Sequence, residues 1–521
     1  MEDLSKYPDL AGISAITEQN TTNLPRDTLP DGTSQETMGH GLQSRTSNAC
    51  DWDTYQDRCE MALFLRCFSE SPGKWTDVLG SHQLYFSQNI ITLSQTSPVI
   101  RYAACALGAK YLGRVKGPAL KTHTTMRNGF TESQPDFLWY GTKYYDKALQ
   151  LLAQQAQAPC DTHGITMTSN SDNPYDRAAN IYPAIAECIL SQYVDISETI
   201  TTAAISIHLD NVDKLLRFSD YDPASPWTLK HVPEPDKAIS SIFWCFAIND
   251  ALDSYVSRRR TRLDPNNLPL WRELGGLPLN DKGDLLLDHI SEQQKATLLF
   301  KSLVRLLCQL LNSSLSDTAE WITIKSEFDR WYSILPNWFS SPLVWTWAPD
   351  ECPDQDNTRR PAASSATWFS CDTCALAMAF YHMGRMLLFI HQPIELFLEQ
   401  YGDQPDVLYT YKKWWKDLRQ HSSQTVSIAR GMPNDTVRKY LLQPLHVAGR
   451  CMLDTRDRLE LLDIFKQIGD DLGFTATKTD WFEAIPIVFH SVKKATLRYA
   501  FSAAEAITNV KGIPTVIMAR T

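Results

Sequence analysis

The amino-acid sequence predicts an all-α protein, an irregular array of about a dozen helices with a disordered N-terminal tail. Three observations carry that expectation. Apolar residues recur at three- and four-residue spacing along most of the chain. Runs that alternate apolar and polar residues, as strands do, are essentially missing. With 43% hydrophobic against 21% charged residues, the 521-residue chain has enough apolar surface for a substantial core. No repeat of fixed period occurs, which argues against a regular solenoid.

Residues 1–48 are rich in Thr, Ser, Asn, Gln, Gly and Asp, with too little apolar surface to offset the entropy of ordering, and are expected to form the tail. One helical domain is expected over 49–515. Its first helix begins near Asp51, with Tyr55, Cys59, Ala62, Leu63 and Leu65 to Phe68 at helical spacing, and ends at Pro72-Gly73. Ser97-Pro98 pairs an N-cap residue with proline at the first helical position. The helix it opens runs through Ile100, Ala103, Ala104, Leu107 and Tyr111, and its small residues let another helix approach closely. Further helices are expected at 137–155, 181–195, 198–217, 237–257, 290–313, 318–334, 367–391, 404–430, 436–467 and 479–508. Turn-forming residues mark loops at 156–179, 219–236, 263–288 and 346–366. The last of these, with Pro349, Cys352-Pro353 and Arg359-Arg360-Pro361, reads as a flexible linker.

Fifty basic residues against sixty acidic ones give a formal charge of −10, the wrong sign for gripping phosphate backbones over a broad surface. Any nucleic-acid contact needs a local basic patch. The twelve cysteines are scattered singly except for Cys371 and Cys374, a pattern of neither a disulfide framework nor a metal knuckle, and a reducing compartment fits best. The start, Met1-Glu2-Asp3, lacks the positive flank and apolar run of a signal peptide. No uninterrupted apolar stretch reaches membrane-spanning length, so no membrane partner is expected.

Most chemical motifs fail on inspection. Cys371-Asp372-Thr373-Cys374 has the two-residue spacer with which two thiolates share a zinc ion, but no second such pair exists to close the site. Both sulfurs sit in an apolar helical pattern, so they read as core thiols. His382 and His391 in the same stretch read as packed or capping residues. Asn249-Asp250 and Asp470-Asp471 suggest the acidic clusters of a terpene cyclase, yet Asp253 and Ser257 stand where that pattern needs a hydroxyl and a carboxylate. Asp250 and Asp253 are instead expected on a solvated helix face. No phosphate-binding glycine loop, nucleophile elbow or histidine-pair zinc motif is present, and no catalytic, cofactor or metal residues are assigned. The one basic cluster is Arg258, Arg259, Arg260 and Arg262, at the end of the helix that carries Phe243-Trp244. It fits either cations complementing a helix C-terminus or a nuclear-import or acidic-partner patch.

In order along the chain, these pieces resemble the helical effector domain of fungal zinc-binuclear-cluster (Zn(2)-Cys(6)) transcription factors. Trp75-Thr76-Asp77, Tyr85-Phe86 and Ser97-Pro98-Val99 to Arg114 are similar to the family's start, and Tyr144-Tyr145 with Ala148 through Leu152 to its next helix. His208-Leu209-Asp210 resembles its histidine-bearing segment, and Phe243-Trp244 followed by Arg258 to Asp264 its aromatic helix and arginine-rich exit. Trp331 with Leu335-Pro336 and Phe339 looks like the Leu-Pro turn, and Pro444-Leu445 to Gly449-Arg450, then Leu459 to Phe474, like the terminal helical pair. The resemblance covers roughly residues 50–490 and marks His208, Trp244, Pro336 and Gly449 as core positions. Ile248-Asn249 departs from the family's habit of Arg-Gln at that place.

The resemblance implies a non-enzymatic regulator of fungal metabolic genes, with a secondary-metabolite cluster among the candidate targets, located in the nucleus. Implied partners are the transcription machinery or a DNA-binding protein, a small-molecule effector and a second copy of the chain. Family members place six zinc-binding cysteines before the helical domain, whereas the first cysteine here is Cys50 and residues 1–49 hold only Lys6, Arg26 and Arg45 as cations. Zinc is therefore expected only if such a module was lost with an upstream exon; otherwise DNA is reached through a partner. A helical enzyme or accessory protein of a biosynthetic pathway is the alternative reading.

Overall fold

A computed structural model describes residues 55–79, 84–116, 136–157, 174–196, 202–221, 235–340, 342–346, 365–393, 395–396, 407–452 and 454–474. The expected tail at 1–48, most of the 346–366 linker and the helix expected at 479–508 lie outside the described residues.

The N-terminal half is built on α4 (Pro98–Arg114), whose residues from Val99 to Leu112 are all buried. Around it pack α1 (Tyr55–Glu70), α3 (Ile90–Thr96), α5 (Phe137–Gln157) and α6 (Pro174–Asp195), with α7 (Thr202–Leu216) laid against α6. Small residues make this possible: a methyl group at Gly108 would come 2.2 Å from the Phe64 carbonyl oxygen of α1. Ser97 occupies the N-cap as expected, although its hydroxyl makes no capping bond.

Helix α8 (Pro235–Ser257) joins the halves, packing on α6 and α7 on one side and on α10 (Glu292–Asn312) on the other. Beyond it, α11 (Thr318–Ser333), α13 (Asp372–Ile390), α14 (Val407–Arg430) and α16 (Leu442–Arg450) complete the second half, with α13 at its centre. By length and hydropathy α13 could cross a membrane, which qualifies the expectation of no such stretch, but 78% of its apolar run is buried inside the protein. Helices α15 (Asp435–Tyr440) and α17 (Thr455–Leu472) return to the first half. There the Tyr440 hydroxyl donates to the Trp75 carbonyl at 3.2 Å, and the Lys116 amide donates to the Asp470 carbonyl at 2.8 Å.

Seventeen α-helices occur among the described residues, more than the dozen expected. The excess lies in short elements that periodicity does not reveal: α2 (Pro72–Thr76), α3, α9 (Leu268–Glu273) and α12 (Asn337–Ser340). In addition, the helix expected over 436–467 is divided into α15, α16 and α17. A π-helical turn, Tyr85–Asn89, precedes α3 and is held by Asp77, whose carboxylate accepts from the Phe86 and Ser87 amides and the Ser87 hydroxyl at 2.7–2.8 Å. The helix expected from 367 begins instead at Asp372. Ser365–Trp368 is a strand, β2, paired antiparallel with β1 (Leu343–Thr346) in register Leu343 with Trp368 and Thr346 with Ser365. These four-residue strands are too short for alternation to be read from sequence.

Candidate functional site

The predicted basic cluster divides into a buried anchor and an exposed rim. Helix α8 ends at Ser257 because Arg258 takes a left-handed conformation, φ 54°, and stops the ladder. The chain then folds back so that Arg262 enters the protein. Its five guanidinium N–H groups have five bonds: Nε to Asp210 at 2.6 Å, Nη1 to Asp250 at 2.8 Å and Asp253 at 3.1 Å, and Nη2 to the Ser206 carbonyl at 3.1 Å and hydroxyl at 2.6 Å. The second Asp250 oxygen accepts the Arg262 and Leu263 amides at 2.8 and 3.1 Å. Burial pushes the Asp250 carboxyl up to about 6, against the downward pull of Arg262. Asp250 and Asp253 were expected on a solvated face; both are buried, because Arg262 supplies the charge that lets them leave water. Arg262 is accordingly structural rather than part of a surface patch.

Arg258, Arg259 and Arg260 remain exposed. Arg259 leans back onto Asp253 at 3.1 Å and the Ser206 hydroxyl, while Arg258 and Arg260 have no ion pair among the described residues. The three arginines line one wall of a groove of about 1110 Å³. Arg450 and His446 of α16, with His391 after α13, line it too, and burial holds the His446 imidazole down at about 4.

The other marked positions serve packing. His208 is buried between α6 and α5, with Nδ1 2.5 Å from Glu187 and Nε2 3.0 Å from the Tyr145 hydroxyl. Trp244 is 3% exposed, stacks edge-on with Phe243 and donates its indole N–H to the Gly275 carbonyl at 2.9 Å. Pro336, expected in the core, is only half-buried: it lies in the turn between α11 and α12, where its carbonyl accepts from the Phe339 amide at 2.9 Å. Gly449 is buried with the Leu461 side chain of α17 against it. Asn249 is buried too and donates to the Cys245 carbonyl at 2.6 Å.

Cys371 and Cys374 do not share one environment. Cys374 is in the core as expected, but Cys371 is half-buried at the N-cap of α13, where the Cys374 thiol and the first amides of the helix hold its thiol down at about 5. Among the described residues no three His, Cys, Asp or Glu side chains gather to hold a metal ion.

Sequence reasoning missed a second cavity, of about 480 Å³, between α8 and α10. Its polar lining includes Asp77, Ser240, Ser241, Gln294, Thr297 and Lys301, set beside Trp244. Lys301 belonged to an ordinary amphipathic pattern; only its four-residue spacing from Thr297 on α10 could have drawn attention.

A transcription activator of Alternaria alternata, AMTR1, is 26% identical over 483 residues, covering 80% of this chain and 62% of its own length. The chain thus spans less than two thirds of that relative. No solved structure matches. The family model described as the fungal specific transcription factor domain matches residues 63–479, from α1 to just beyond α17. A match of that extent, running through both halves of the core and the bridging α8, places the chain in the family of fungal-specific transcription factor domains.

Proposed function

We propose that this chain is the regulatory part of a transcription factor controlling fungal metabolic genes, a secondary-metabolite cluster among them, from the nucleus. The observation that carries this is the family match over 63–479, supported by the relative's description as a transcription activator. The domain works by presenting helical surfaces to the transcription machinery or to a DNA-binding partner. The groove rimmed by Arg258, Arg260 and Arg450 has the charge to receive an acidic segment. Zinc enters this scheme only through a six-cysteine module, which is not found within residues 1–521.

The test tethers the chain to an independent DNA-binding module and measures a reporter in several fungal hosts. Expression changes, and the double charge reversal Arg258→Glu with Arg260→Glu weakens the change while leaving the melting temperature in place. Absence of any reporter effect in either direction across the hosts would overturn the regulator reading. An unaltered effect in the charge-reversed variant would remove the groove from it.

A further inference from the structure

The segment Cys371-Asp372-Thr373-Cys374 has no part in the regulator reading, yet the fold gives its two sulfurs a defined relation. Cys371 has extended backbone, φ −129° and ψ 123°, and is the N-cap of the 19-residue α13. Cys374 closes the first turn, its amide donating to the Cys371 carbonyl at 3.0 Å. A turn closed by such a bond holds its end Cα atoms within about 7 Å. Disulfides span Cα separations of about 4.4–6.8 Å, so the pair meets their backbone requirement. Both cysteines are free, and the Cys374 thiol donates to the Cys371 sulfur.

Access divides the two: Cys371 is half-buried, whereas Cys374 is 1% exposed. The Cys374 thiol, the first amides of α13 and the Thr373 hydroxyl outweigh burial and hold the Cys371 thiol down at about 5, so it is a thiolate at neutral pH. The same bond, together with burial, pushes Cys374 up and keeps its proton in place. Other described cysteines lack this combination. Burial pushes Cys67, Cys105 and Cys308 up, which makes them inert. Cys188 and Cys245 also meet, between α6 and α8, but both are buried.

We propose that Cys371 and Cys374 form a redox-responsive dithiol, which hydroperoxides oxidise reversibly to a disulfide. The Cys371 thiolate attacks an oxygen of hydrogen peroxide; the O–O bond breaks, hydroxide leaves and takes a proton from solvent to become water, and Cys371 becomes a sulfenic acid. Cys374 then attacks that sulfur, and its proton departs with the sulfenic hydroxyl as a second water while the S–S bond forms. The two sulfurs lose two electrons and the peroxide gains them; a dithiol reductant reverses the step. A transient disulfide of this kind suits a reducing compartment. It is independent of the regulator reading, since its test reads thiols and not transcription.

The full chain, fully reduced, is treated with one equivalent of hydrogen peroxide, unfolded, alkylated and mapped by peptide mass spectrometry. Cys371 and Cys374 lose alkylation together, their peptide loses two hydrogens, and dithiothreitol restores both thiols. Cys188 and Cys245 stay reduced. Before oxidation, the rate of Cys371 alkylation changes less than about twofold between about pH 6 and 8, where an ordinary thiol rises more than about tenfold. In Cys374→Ser the oxygen stays on Cys371 as a sulfenic acid trapped by dimedone, and in Cys371→Ser the remaining Cys374 stays reduced. The dithiol is overturned if both thiols survive peroxide, if Cys371 pairs with a different cysteine, if its alkylation climbs with pH as an ordinary thiol's does, or if Cys374 is oxidised in Cys371→Ser. The first three of these are read on the parent chain, so no variant has to fold for the answer.

Discussion

Arg262 and Asp250 show how much one side chain decides. Removing Arg262 leaves the Asp250 carboxylate buried without its counter-charge, a loss that costs about 3–5 kcal/mol, whereas Arg262 without Asp250 keeps Asp210 and Asp253. Arg262→Ala should therefore lower the denaturation midpoint sharply, whereas Arg260→Ala, on the exposed rim, should stay within about 0.5 kcal/mol of the parent. Equal effects of the two substitutions would contradict the division of the cluster. A second residue-scale effect concerns pH. His382 and His421 meet with Nδ1 atoms 3.0 Å apart; burial holds His421 down at about 4 and His382 well below 6.5. The folded state thus binds fewer protons than the unfolded one between about 4 and 6.5, so their contribution is present above 6.5 and lost as pH falls through that window. Asp77 and Asp250, both raised by burial to about 6, act in the opposite sense between about 4 and 6. Comparing stability against pH for the parent and His421→Gln isolates the imidazole: the variant should show the flatter fall below 6.5, and parallel curves would refute the assignment.

At the scale of elements, α4 shows a feature that composition announces. The small residues Ala103 and Ala104 gave the expectation of a close helix neighbour, and α1 takes that place, with Gly108 at the closest approach. Gly108→Ala would gain about 1 kcal/mol of helix propensity in isolation. Here the added methyl meets a backbone oxygen that cannot rotate away, so a net loss of about 1–3 kcal/mol is expected by thermal melting. A stabilised variant would show that α1 yields. Helices longer than about four turns were legible from the spacing of their apolar residues, most because they bury one broad face and α4 and α13 because they are apolar nearly all round. Short helices such as α2 and α9 were not, since five or six residues sample too few turns to establish a period. Helix α15 to α17 was read as one element for the related reason that apolar spacing continues through bends at Leu441 and after Cys451.

The described residues between 55 and 474 are stitched through a single core. Lys439 of α15 is buried 3.4 Å from Asp195 of α6 and bonds Gln192, which joins residues almost 250 positions apart. Together with the Tyr440 and Lys116 bonds, this ties the last helices to the first. Residues 55–474 should consequently unfold in one cooperative transition, monitored by circular dichroism and tryptophan fluorescence together; separated midpoints would mean the halves are independent. A net charge of −10 sets the second prediction at this scale. The isolated chain should bind duplex DNA no more tightly than about 10⁻⁴ to 10⁻⁶ M at physiological salt, by fluorescence anisotropy, and nanomolar selective binding would reveal a base-reading surface.

By itself the sequence determined the helical class, the long helices, the buried places of Trp244 and Cys374, and the family. All of these rest on the spacing or order of residues along the chain. Only the tertiary structure decided that Asp250 and Asp253 are internal and that Arg262 differs from its three neighbours. Amphipathic period reports which face of a helix is apolar, but a carboxylate bound for water and one bound for an arginine have the same place in that pattern. Which of the two it becomes depends on whether a charge arrives from another element, as the turn after α8 brings Arg262 back onto Asp250, Asp253 and, across 52 residues, Asp210.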